Sequence, residues 1–322
     1  MNLCVLLSAD CAIPPLLDYS VCMKFVLGFD GGGTKTDCVL LDGEGRVIAR
    51  SRGGPSNPYR IGVEAAARAI RDAAELAIGE AAIDRHAINA IGAGLAGTGD
   101  PKLKEGMVAA LQVDFPGVRV SVFTDLEASL LAAGEGPVIV LVAGTGSAAI
   151  GRDAHGKIWR SGGLGFRFSD EGSAFDIGQR AVVQSKKSFQ REGNDSSLGK
   201  KILARLEVES WEELQKIAET APDDVFPRVF PIVAAAADEN DSSAQEILRR
   251  AAGQLADLAK SVADQLGGSG NELKIVKTGG AMGQSKFFDA ELGAALEHGL
   301  PQAEPGSLKM SAAEAAARAV LT

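Results

Sequence analysis

The stretch that most constrains this chain is DGGGTKTD, residues 30–37, because apolar runs flank it on both sides. Residues 25–29 before it and residues 38–41 after it have the composition of buried strands, so the pattern predicts two strands joined by a tight glycine turn. Three consecutive glycines allow backbone N–H groups to point into one concavity, which suits an anion. The turn is therefore predicted to bind the β- and γ-phosphates of a nucleotide.

Two better-known phosphate-binding motifs do not fit this stretch. The Walker A loop places Lys directly after its last Gly and opens a helix, whereas here Thr34 separates Gly33 from Lys35 and a strand follows. The dinucleotide fingerprint also requires a helix after its glycines. The alternative is a plain glycine hairpin with an exposed Lys35, and a second, similar element later in the chain weighs against it.

The charge and length of the chain narrow its possible partners and organisation. Its 322 residues carry a formal net charge of −9, which argues against binding to nucleic acid or to an anionic membrane. No apolar stretch is long enough to span a membrane. The length allows two domains of ordinary size, and the 39 glycines predict many turns or close approaches between backbone and ligand.

The first part of the chain differs from the rest. It holds all four cysteines, Cys4, Cys11, Cys22 and Cys38, and no two of them form a C-x-x-C pair. This is not a disulfide framework, so a reducing, cytoplasmic location is expected. Residues 1–22 contain no Lys or Arg and therefore lack the basic region of a signal peptide. We expect Met23 to be the true start, with residues 1–22 a disordered tail or a wrongly assigned beginning.

A pattern of strands and helices occurs twice. Through residue 134 the order is βββαβαβα, with a loop over residues 53–62 after the third strand. The pattern then restarts with strands at 137–142, 148–152 and 157–160, and AGTGS at 143–147 forms a second glycine hairpin. Helices are predicted over 174–266, 286–298 and 312–321, with a strand at 273–277. The repeat predicts a duplicated α/β core with a cleft between its halves.

Several motifs in this order resemble a known family. They are DGGGTKTD, GPSN at 54–57, TDLEAS at 124–129, AGTGS, GG-x-x-F-x-x-SDEGS at 162–173 and TGG at 278–280. The chain is similar to the sugar-kinase, heat-shock-ATPase and actin superfamily, and within it to the N-acetylglucosamine kinase branch, the BadF/BadG/BcrA/BcrD ATPase family. The resemblance implies two ribonuclease H-like (actin-like ATPase) domains, at 23–134 and 135–309, with the last helix, 310–322, returning to the first domain.

The resemblance also implies roles for individual residues. ATP would contact the first hairpin, the second hairpin and the TGG motif, through Gly31, Gly32, Gly33, Thr34, Lys35, Thr36, Gly144, Thr145, Gly146, Gly279 and Gly280. Asp30 would orient Mg²⁺. The sugar would contact Asn57, Thr145, Gly162, Gly163 and Asp170, and Asp125 would be the catalytic base.

The acidic and amide residues have simpler alternatives. Asp125 ends a strand and could accept a proton from a hydroxyl in phosphoryl transfer, or it could cap a helix that begins at Leu126. Asp170 could bind sugar hydroxyls or cap the helix that follows it. Asn57 could contact the sugar or simply form a turn before Pro58.

The resemblance implies an ATP-dependent kinase that phosphorylates the 6-hydroxyl of an amino sugar, N-acetylglucosamine first and glucosamine as the alternative. Tyr59 stands where the animal enzymes usually carry Trp, and Ser169 where they carry Gly, so the pocket for the 2-substituent departs from theirs. The pattern from Phe166 to Asp170 is closer to that of bacterial glucosamine kinases. Relatives are commonly dimers, so we expect a homodimer.

Two other classes share this ATPase core. The activators of 2-hydroxyacyl-CoA dehydratases hold an iron–sulfur cluster with cysteines of their second half, and this chain has no Cys after Cys38. A regulatory ATPase would use nucleotide only as a switch. That class would leave Asn57 and Asp170 without a role, and we expect no appended peptide-binding domain.

Overall fold

The first half of the chain forms a five-stranded sheet. The structure is a computed structural model that describes residues 24–267 and 273–321; the expectations for residues 1–22 lie outside them. The strands are β1 (Phe25–Gly31), β2 (Thr36–Leu41), β3 (Val47–Gly53), β4 (Ile88–Leu95) and β5 (Arg119–Thr124). They lie in the order β3-β2-β1-β4-β5, with β1–β3 an antiparallel meander and β4 and β5 parallel to β1. The helices are α1 (Pro58–Ile61), α2 (Val63–Ala81), α3 (Pro101–Asp114) and α4 (Asp125–Ala132).

The second half repeats this topology. Its strands are β6 (Val138–Ala143), β7 (Ser147–Arg152), β8 (Ile158–Gly162), β9 (Lys274–Thr278) and β10 (Glu304–Gly306). The order β10-β9-β6-β7-β8 again joins an antiparallel meander to two parallel strands. Between β8 and β9 lie α5 (Ala174–Glu192), α6 (Ser197–Leu206), α7 (Trp211–Thr220), α8 (Pro222–Val225), α9 (Phe230–Asp238) and α10 (Ser242–Gln265). After β9 come α11 (Lys286–Gly299) and, beyond β10, α12 (Ala312–Arg318). The predicted duplicated α/β fold is confirmed.

Two local predictions need correction. The expected loop over residues 53–62 contains the short helix α1, because Asn57 caps it and Pro58 occupies its first turn, where a missing N–H costs nothing. Strand β10 was not predicted, since its three residues include Pro305 and form only an edge pairing with β9.

Each sheet carries apolar cores on its two faces. Helices α2 and α3 cover one face of the first sheet, through side chains such as Ile70, Met107 and Leu111. One face of the second sheet packs on the helices α5–α11, and the other packs on Leu126 and Leu130 of α4. Helix α4 therefore lies between the two sheets.

Helix α12 packs on the first sheet although it follows the second sheet in sequence. Its backbone comes so close that a Cβ built on Gly28 or on Gly92 would lie 2.0 Å from a carbonyl oxygen of Ala313 or of Ala316. Only glycine at these strand positions permits this approach. The contact agrees with the expected return of the last helix. The domain boundaries at 134 and 309 stay a prediction.

Two stretches of chain run between the sheets, residues 133–137 and residues 307–311. They lie side by side, because the Lys309 N–H donates to the Ala132 carbonyl oxygen at 2.8 Å. We call the first sheet with α1–α4 and α12 the first lobe, and the second sheet with α5–α11 the second lobe. Across residues 24–267 and 273–321, no helix has both the length and the apolar character needed to cross a membrane.

Candidate active site

The first hairpin, residues 31–36, joins β1 to β2. Gly32 N–H donates to the Lys35 carbonyl oxygen at 3.0 Å, which closes the turn. Gly31, Gly32 and Gly33 all avoid the left-handed φ region, so the turn does not require glycine for its backbone angles. Gly31 is required for space, because its Cβ would lie 2.0 Å from Ser56 Oγ, whereas Gly32 faces open space. The open tip is free to approach a ligand.

Two side chains of this hairpin are already engaged. Thr36 is fully buried, and its hydroxyl donates to the Gly54 carbonyl at 2.6 Å and lies 2.7 Å from Ser56 Oγ. Its side chain therefore holds the 54–56 loop against the hairpin, and the contact between Thr36 and ATP stays a prediction. Lys35 is half-exposed and forms an ion pair with Asp37. Thr34 is exposed at the tip.

Asp30 and Asp125 lie at the same edge of the first sheet. Asp30 is level with Gly94 of β4, and Thr124, the residue before Asp125, is level with Leu95 of the same strand. Burial, then the negative charge of Asp125, raises the pKa of Asp30 from 3.8 to about 6. Burial also raises the pKa of Asp125, against hydrogen bonds from backbone N–H groups and the positive charge of Arg160. The two carboxylates thus repel each other where a cation would stabilise both.

Asp125 is not the cap of its helix. Thr124 caps α4, and Thr124 and Glu127 form a reciprocal capping box in which each side chain accepts from the other's backbone N–H. The alternative that Asp125 serves only as the cap is therefore wrong. Asp125 occupies the first helical position with its carboxylate available for another role.

The second hairpin, residues 143–147, contacts Asp170 and the TGG motif. Ser147 N–H donates to Asp170 Oδ1 at 3.1 Å, and a Cβ on Gly146 would lie 2.9 Å from the same oxygen. Asp170 is buried and adopts a left-handed φ of 77°. Ser173, not Asp170, caps α5, so the capping alternative for Asp170 is also wrong. Burial, followed by the charges of Glu171 and Asp223, raises the pKa of Asp170.

The TGG motif lies directly against the second hairpin. Gly279 has a left-handed φ of 108°, and its Cβ would lie 2.2 Å from the Ala143 carbonyl oxygen. Ala281 N–H donates to that oxygen at 3.0 Å, and a Cβ on Gly144 would lie 3.7 Å from Gly280 N. Three of the predicted ATP-contact glycines are therefore neighbours. Thr145 at the hairpin tip is exposed.

The remaining predicted sugar residues lie on both sides of the cleft. Asn57 Oδ1 accepts from Tyr59 N–H at 3.0 Å and from Arg60 N–H at 3.3 Å, so Asn57 caps α1, whereas its alternative expected only a turn before Pro58. Gly162 and Gly163 both have left-handed φ angles, and Gly163 N–H donates to the Ser147 carbonyl oxygen at 3.0 Å. These contacts use the Asn57 side-chain oxygen and the Gly163 N–H, and they leave the Asn57 amide nitrogen for a ligand.

Gly163 also links the second lobe to the neighbourhood of Asp125. A Cβ built on it would lie 3.6 Å from Leu126 Cδ1, one residue after the candidate base. The glycine pair, the second hairpin and the Asp125 edge of the first sheet therefore meet at one place.

A cavity of about 640 Å³ between the lobes adjoins Asp125. Residues that follow β4 and β5 line one side, and β7 and β8 line the other: Thr98, Gly99, Pro101, Lys104, Thr124, Leu126, Glu127, Ile150, Ile158, Trp159 and Arg160. Arg160 was not among the predicted site residues. Its position two residues before Gly162 was the available signal, but only the folded arrangement brings its charge near Asp125.

The residues at the first hairpin fit a magnesium ion that is held largely by water and phosphate. Asp30 and Asp125 offer hard carboxylate oxygens, and burial together with the negative charges of Asp125 and Asp37 raises the pKa of Asp30 to about 6 despite the nearby Lys35. Within the described part of the chain, no three His, Cys, Asp or Glu side chains gather as a metal cage. Mg²⁺ bound beside phosphates normally uses one or two carboxylates and keeps several waters.

Comparison with known proteins places this arrangement in a family. Residues 27–300 match the BadF/BadG/BcrA/BcrD ATPase family. The chain belongs to this family. It is 29% identical over 301 residues to an N-acetylmuramic acid/N-acetylglucosamine kinase of Clostridium acetobutylicum, covering 90% of this chain and 96% of that one. It is 28% identical over 296 residues to an N-acetyl-D-glucosamine kinase of Dictyostelium discoideum, covering 87% and 92%.

The fold agrees with the sequence match. A solved structure assigned as an N-acetylglucosamine kinase, from Chromobacterium violaceum, superposes with a TM-score of 0.75 at 26% identity and covers 94% of this chain and all of that one. The expected family membership and the duplicated ribonuclease H-like fold are confirmed together.

Proposed function

We propose that this member of the BadF/BadG/BcrA/BcrD ATPase family is an ATP-dependent amino-sugar kinase acting on the 6-hydroxyl of N-acetylglucosamine. The observation that carries the proposal is the position of Asp125. Thr124, not Asp125, caps its helix; the charge of Asp125 acts on Asp30 directly before the first hairpin, and Gly163 of the second lobe approaches the adjacent Leu126. Phosphoryl transfer needs this set: phosphate-binding backbone, a cation site and a proton acceptor.

The reaction needs one proton transfer from the sugar. Asp125 accepts the proton of the 6-hydroxyl, the oxygen forms a bond to the γ-phosphorus, and the bond from that phosphorus to the β,γ-bridging oxygen breaks to release ADP. Burial raises the pKa of Asp125, which makes its carboxylate a stronger base than an exposed aspartate. Because Asp125 lies between the lobes, their closure would exclude water from this step.

Mg²⁺ would be held through Asp30, with Asp125 nearby, and it would neutralise charge on the phosphates. Contacts to ATP would come from Gly31, Gly32, Gly33, Thr34 and Lys35 of the first lobe, with Thr36 supporting the hairpin from beneath, and from Gly144, Thr145, Gly146, Gly279 and Gly280 of the second. Thr34 and Thr145 are exposed at the tips of the first and the second hairpin, which supports this assignment. So does the contact between Gly144 and Gly280.

The sugar would lie between Asn57 on the first lobe and Gly162, Gly163 and Asp170 on the second. Asp170 supports this role because its carboxylate is buried, held by only one backbone N–H from the second hairpin, and adopts a strained backbone angle. Thr145 would contact both substrates, because it stands at the hairpin tip. Such hydroxyl-to-carboxylate bonds discriminate strongly between sugars.

The names of the two curated relatives favour an N-acetylated sugar. Glucosamine stays the alternative, because Tyr59 and Ser169 depart from the animal kinases. Tyr59 is 79% exposed, so its side chain is not part of a buried pocket wall. We further propose that the protein is a homodimer. We also propose a cytoplasmic location, because the cysteines do not form a disulfide framework.

The test is ADP release from Mg-ATP with N-acetylglucosamine, glucosamine, N-acetylmannosamine, glucose or no sugar. We expect turnover with N-acetylglucosamine well above the rate without sugar. If turnover is fastest with glucosamine, the substrate is the free amino sugar and not the N-acetylated one. No sugar dependence, with ATP still bound, would reject the kinase proposal and favour a nucleotide-dependent switch.

A further inference from the structure

Arg60 joins the first hairpin to the opposite lobe. Its Nη2 donates to Asp223 Oδ2 on α8 at 2.9 Å, which is an ion pair between the lobes. Its Nη1 lies on the other side of the guanidinium, 3.5 Å from the place where a Cβ on Gly33 would stand. The planar guanidinium therefore has one end fixed by the second lobe and one end beside the hairpin tip.

The partner of Arg60 is itself placed near the sugar side. Asp223 Oδ1 is buried and has no hydrogen-bond partner within the described residues, so this carboxylate depends on Arg60 for its charge compensation. The charge of Asp223 also contributes to the raised pKa of Asp170. Asp223 thus connects the arginine to the second-lobe part of the site.

The other cationic side chains near the first hairpin form ion pairs with a different carboxylate. Lys35 and Arg52 both form ion pairs with Asp37, which lies on β2 beyond the hairpin. Arg60 Nη1 has no hydrogen bond to another residue in the described ranges 24–267 and 273–321. It is therefore the donor best placed to meet a phosphate at Gly33.

We propose that Arg60 is a catalytic residue that donates from Nη1 to a γ-phosphoryl oxygen of ATP, and that Asp223 is the positioning residue that holds it there. This inference rests on the proposed kinase function and deepens it. A guanidinium stabilises the charge that spreads over the equatorial oxygens during transfer. No covalent step is added, because Arg60 keeps its protons throughout.

The arrangement makes phosphoryl transfer depend on the second lobe. Arg60 belongs to the first lobe, yet its anchor belongs to the second, so the arginine is held at the hairpin only when α8 and α1 are together. Movement of the lobes apart would release the guanidinium from Asp223. Productive transfer is then coupled to the closed arrangement, in which Asp170 and Asp125 also approach the same ligand.

Steady-state kinetics of Arg60→Ala, Arg60→Lys and Asp223→Asn test the proposal, with Arg46→Ala as the matched control. Arg46 also forms an ion pair, to Asp42 at 2.7 Å, but in the turn between β2 and β3 and within one lobe. We expect kcat of Arg60→Ala to fall about 10²-fold, the usual cost of losing one transition-state donor, with KM for sugar changed less than about threefold. The control should stay within about twofold of wild type.

Chemical rescue of Arg60→Ala and the kinetics of Asp223→Asn distinguish a chemical role of Arg60 from a structural one. Added guanidinium chloride, at concentrations that leave wild type unaffected, should restore part of the kcat of Arg60→Ala but none to Asp223→Asn. Arg60→Lys keeps the charge without the two-ended fork, and we expect it to lose about tenfold. An Arg60→Ala kcat within threefold of wild type, or an unrescued loss that appears only in KM, would overturn the proposal.

Nucleotide binding distinguishes failure of this inference from failure of the kinase proposal. Calorimetric titration with ATP and with ADP, in the presence of Mg²⁺, measures the contribution of the γ-phosphate without any sugar. We expect Arg60→Lys and Arg60→Ala to weaken ATP several-fold while ADP is unchanged. That result would support the arginine contact even if no sugar were phosphorylated. An equal loss for both nucleotides, or none, would reject it.

Discussion

The two glycine hairpins occupy equivalent positions in the two sheets, yet their surroundings differ. The first is surrounded by charge: Asp30 precedes it, Lys35 lies within it, and Arg60 lies over its tip. The second has no charged residue of its own, and its neighbours are backbone groups of the TGG motif and the Asp170 carboxylate. The same strand–turn–strand scaffold therefore carries the ionic part of the site in one lobe and the hydrogen-bonding part in the other.

This difference suggests that the two hairpins have different functions, phosphoryl transfer for the first and sugar recognition for the second. Charges can move a proton and neutralise a phosphate, so the first hairpin is suited to chemistry. A carboxylate fixed by one backbone N–H, beside glycines that permit close approach, is suited to recognising hydroxyl groups. Changes in the first lobe should therefore affect mainly the rate, and changes in the second lobe mainly the affinity for sugar.

The largest effect is expected from Asp125→Asn. Without a proton acceptor, kcat should fall at least about 10²-fold, because general-base catalysis usually contributes at least that much. ATP affinity, measured by titration, should change little, since the amide preserves the shape of the side chain and Thr124 still caps α4. Activity within about threefold of wild type would show that Asp125 is not the catalytic base.

Gly146→Ala should weaken sugar binding. The added Cβ would lie 2.9 and 3.0 Å from the two Asp170 oxygens, so the carboxylate has to shift. Overpacking of this kind costs about 1–3 kcal/mol, or roughly 5- to 160-fold in KM for sugar. The rate at saturating sugar should change much less, and a loss confined to kcat would contradict the assignment of Asp170 to the sugar.

Magnesium affinity should fall in acid because of Asp30. Its pKa of about 6 means that the carboxylate becomes protonated below that value, and only the charged form binds the ion. From pH 7 to pH 5, apparent affinity for Mg²⁺ in the presence of ADP is expected to drop about tenfold. Fluorescence titration at several pH values measures this, and Asp30→Asn should lose the pH dependence along with most of the affinity.

The same carboxylate should affect stability in the opposite sense. Without nucleotide, the native state keeps a proton on Asp30 that the unfolded chain has released, between pH 3.8 and about 6. The free energy of unfolding should therefore decrease as pH rises through this window. The shift corresponds to at most about 3 kcal/mol, and urea unfolding of wild type against Asp30→Asn measures it.

The smallest effect is expected from Gly32→Ala, the matched change in the first hairpin. No atom lies within 4 Å of its Cβ position, and its φ is not left-handed. We expect kcat and KM for sugar within about twofold of wild type. Any loss should appear in KM for ATP alone, because the proposed function places phosphate in the open space at Gly32.

Much of the fold could be predicted from local pattern. The two meanders, the hairpins and the helices after them follow from apolar runs and from Gly or Pro at their ends, which are properties of neighbouring residues. The ends of elements were less accessible, because α1 depends on a cap by Asn57 within a stretch rich in Gly and Pro. The motifs were enough to locate the candidate carboxylates, but the residues that surround each carboxylate could not be predicted.

What sequence could not provide is contact between distant residues. The bond from Thr36 to Ser56 turns a predicted ligand hydroxyl into a support for the neighbouring loop. The pair of Arg60 and Asp223 joins positions 163 residues apart and exists only when both lobes are folded. The left-handed backbone of Asp170 is likewise imposed by its packing, since nothing in its own sequence requires that angle.

The paired connections between the lobes determine how the cleft can open. One runs from α4 to β6 and the other from β10 to α12, and the bond from Lys309 N–H to the Ala132 carbonyl oxygen fastens them together. A single tether would let the lobes swivel, whereas two adjacent tethers restrict them to rotation about one axis. We therefore expect the cleft to open about an axis through these two connecting segments, so that closure would return Arg60 to Asp223.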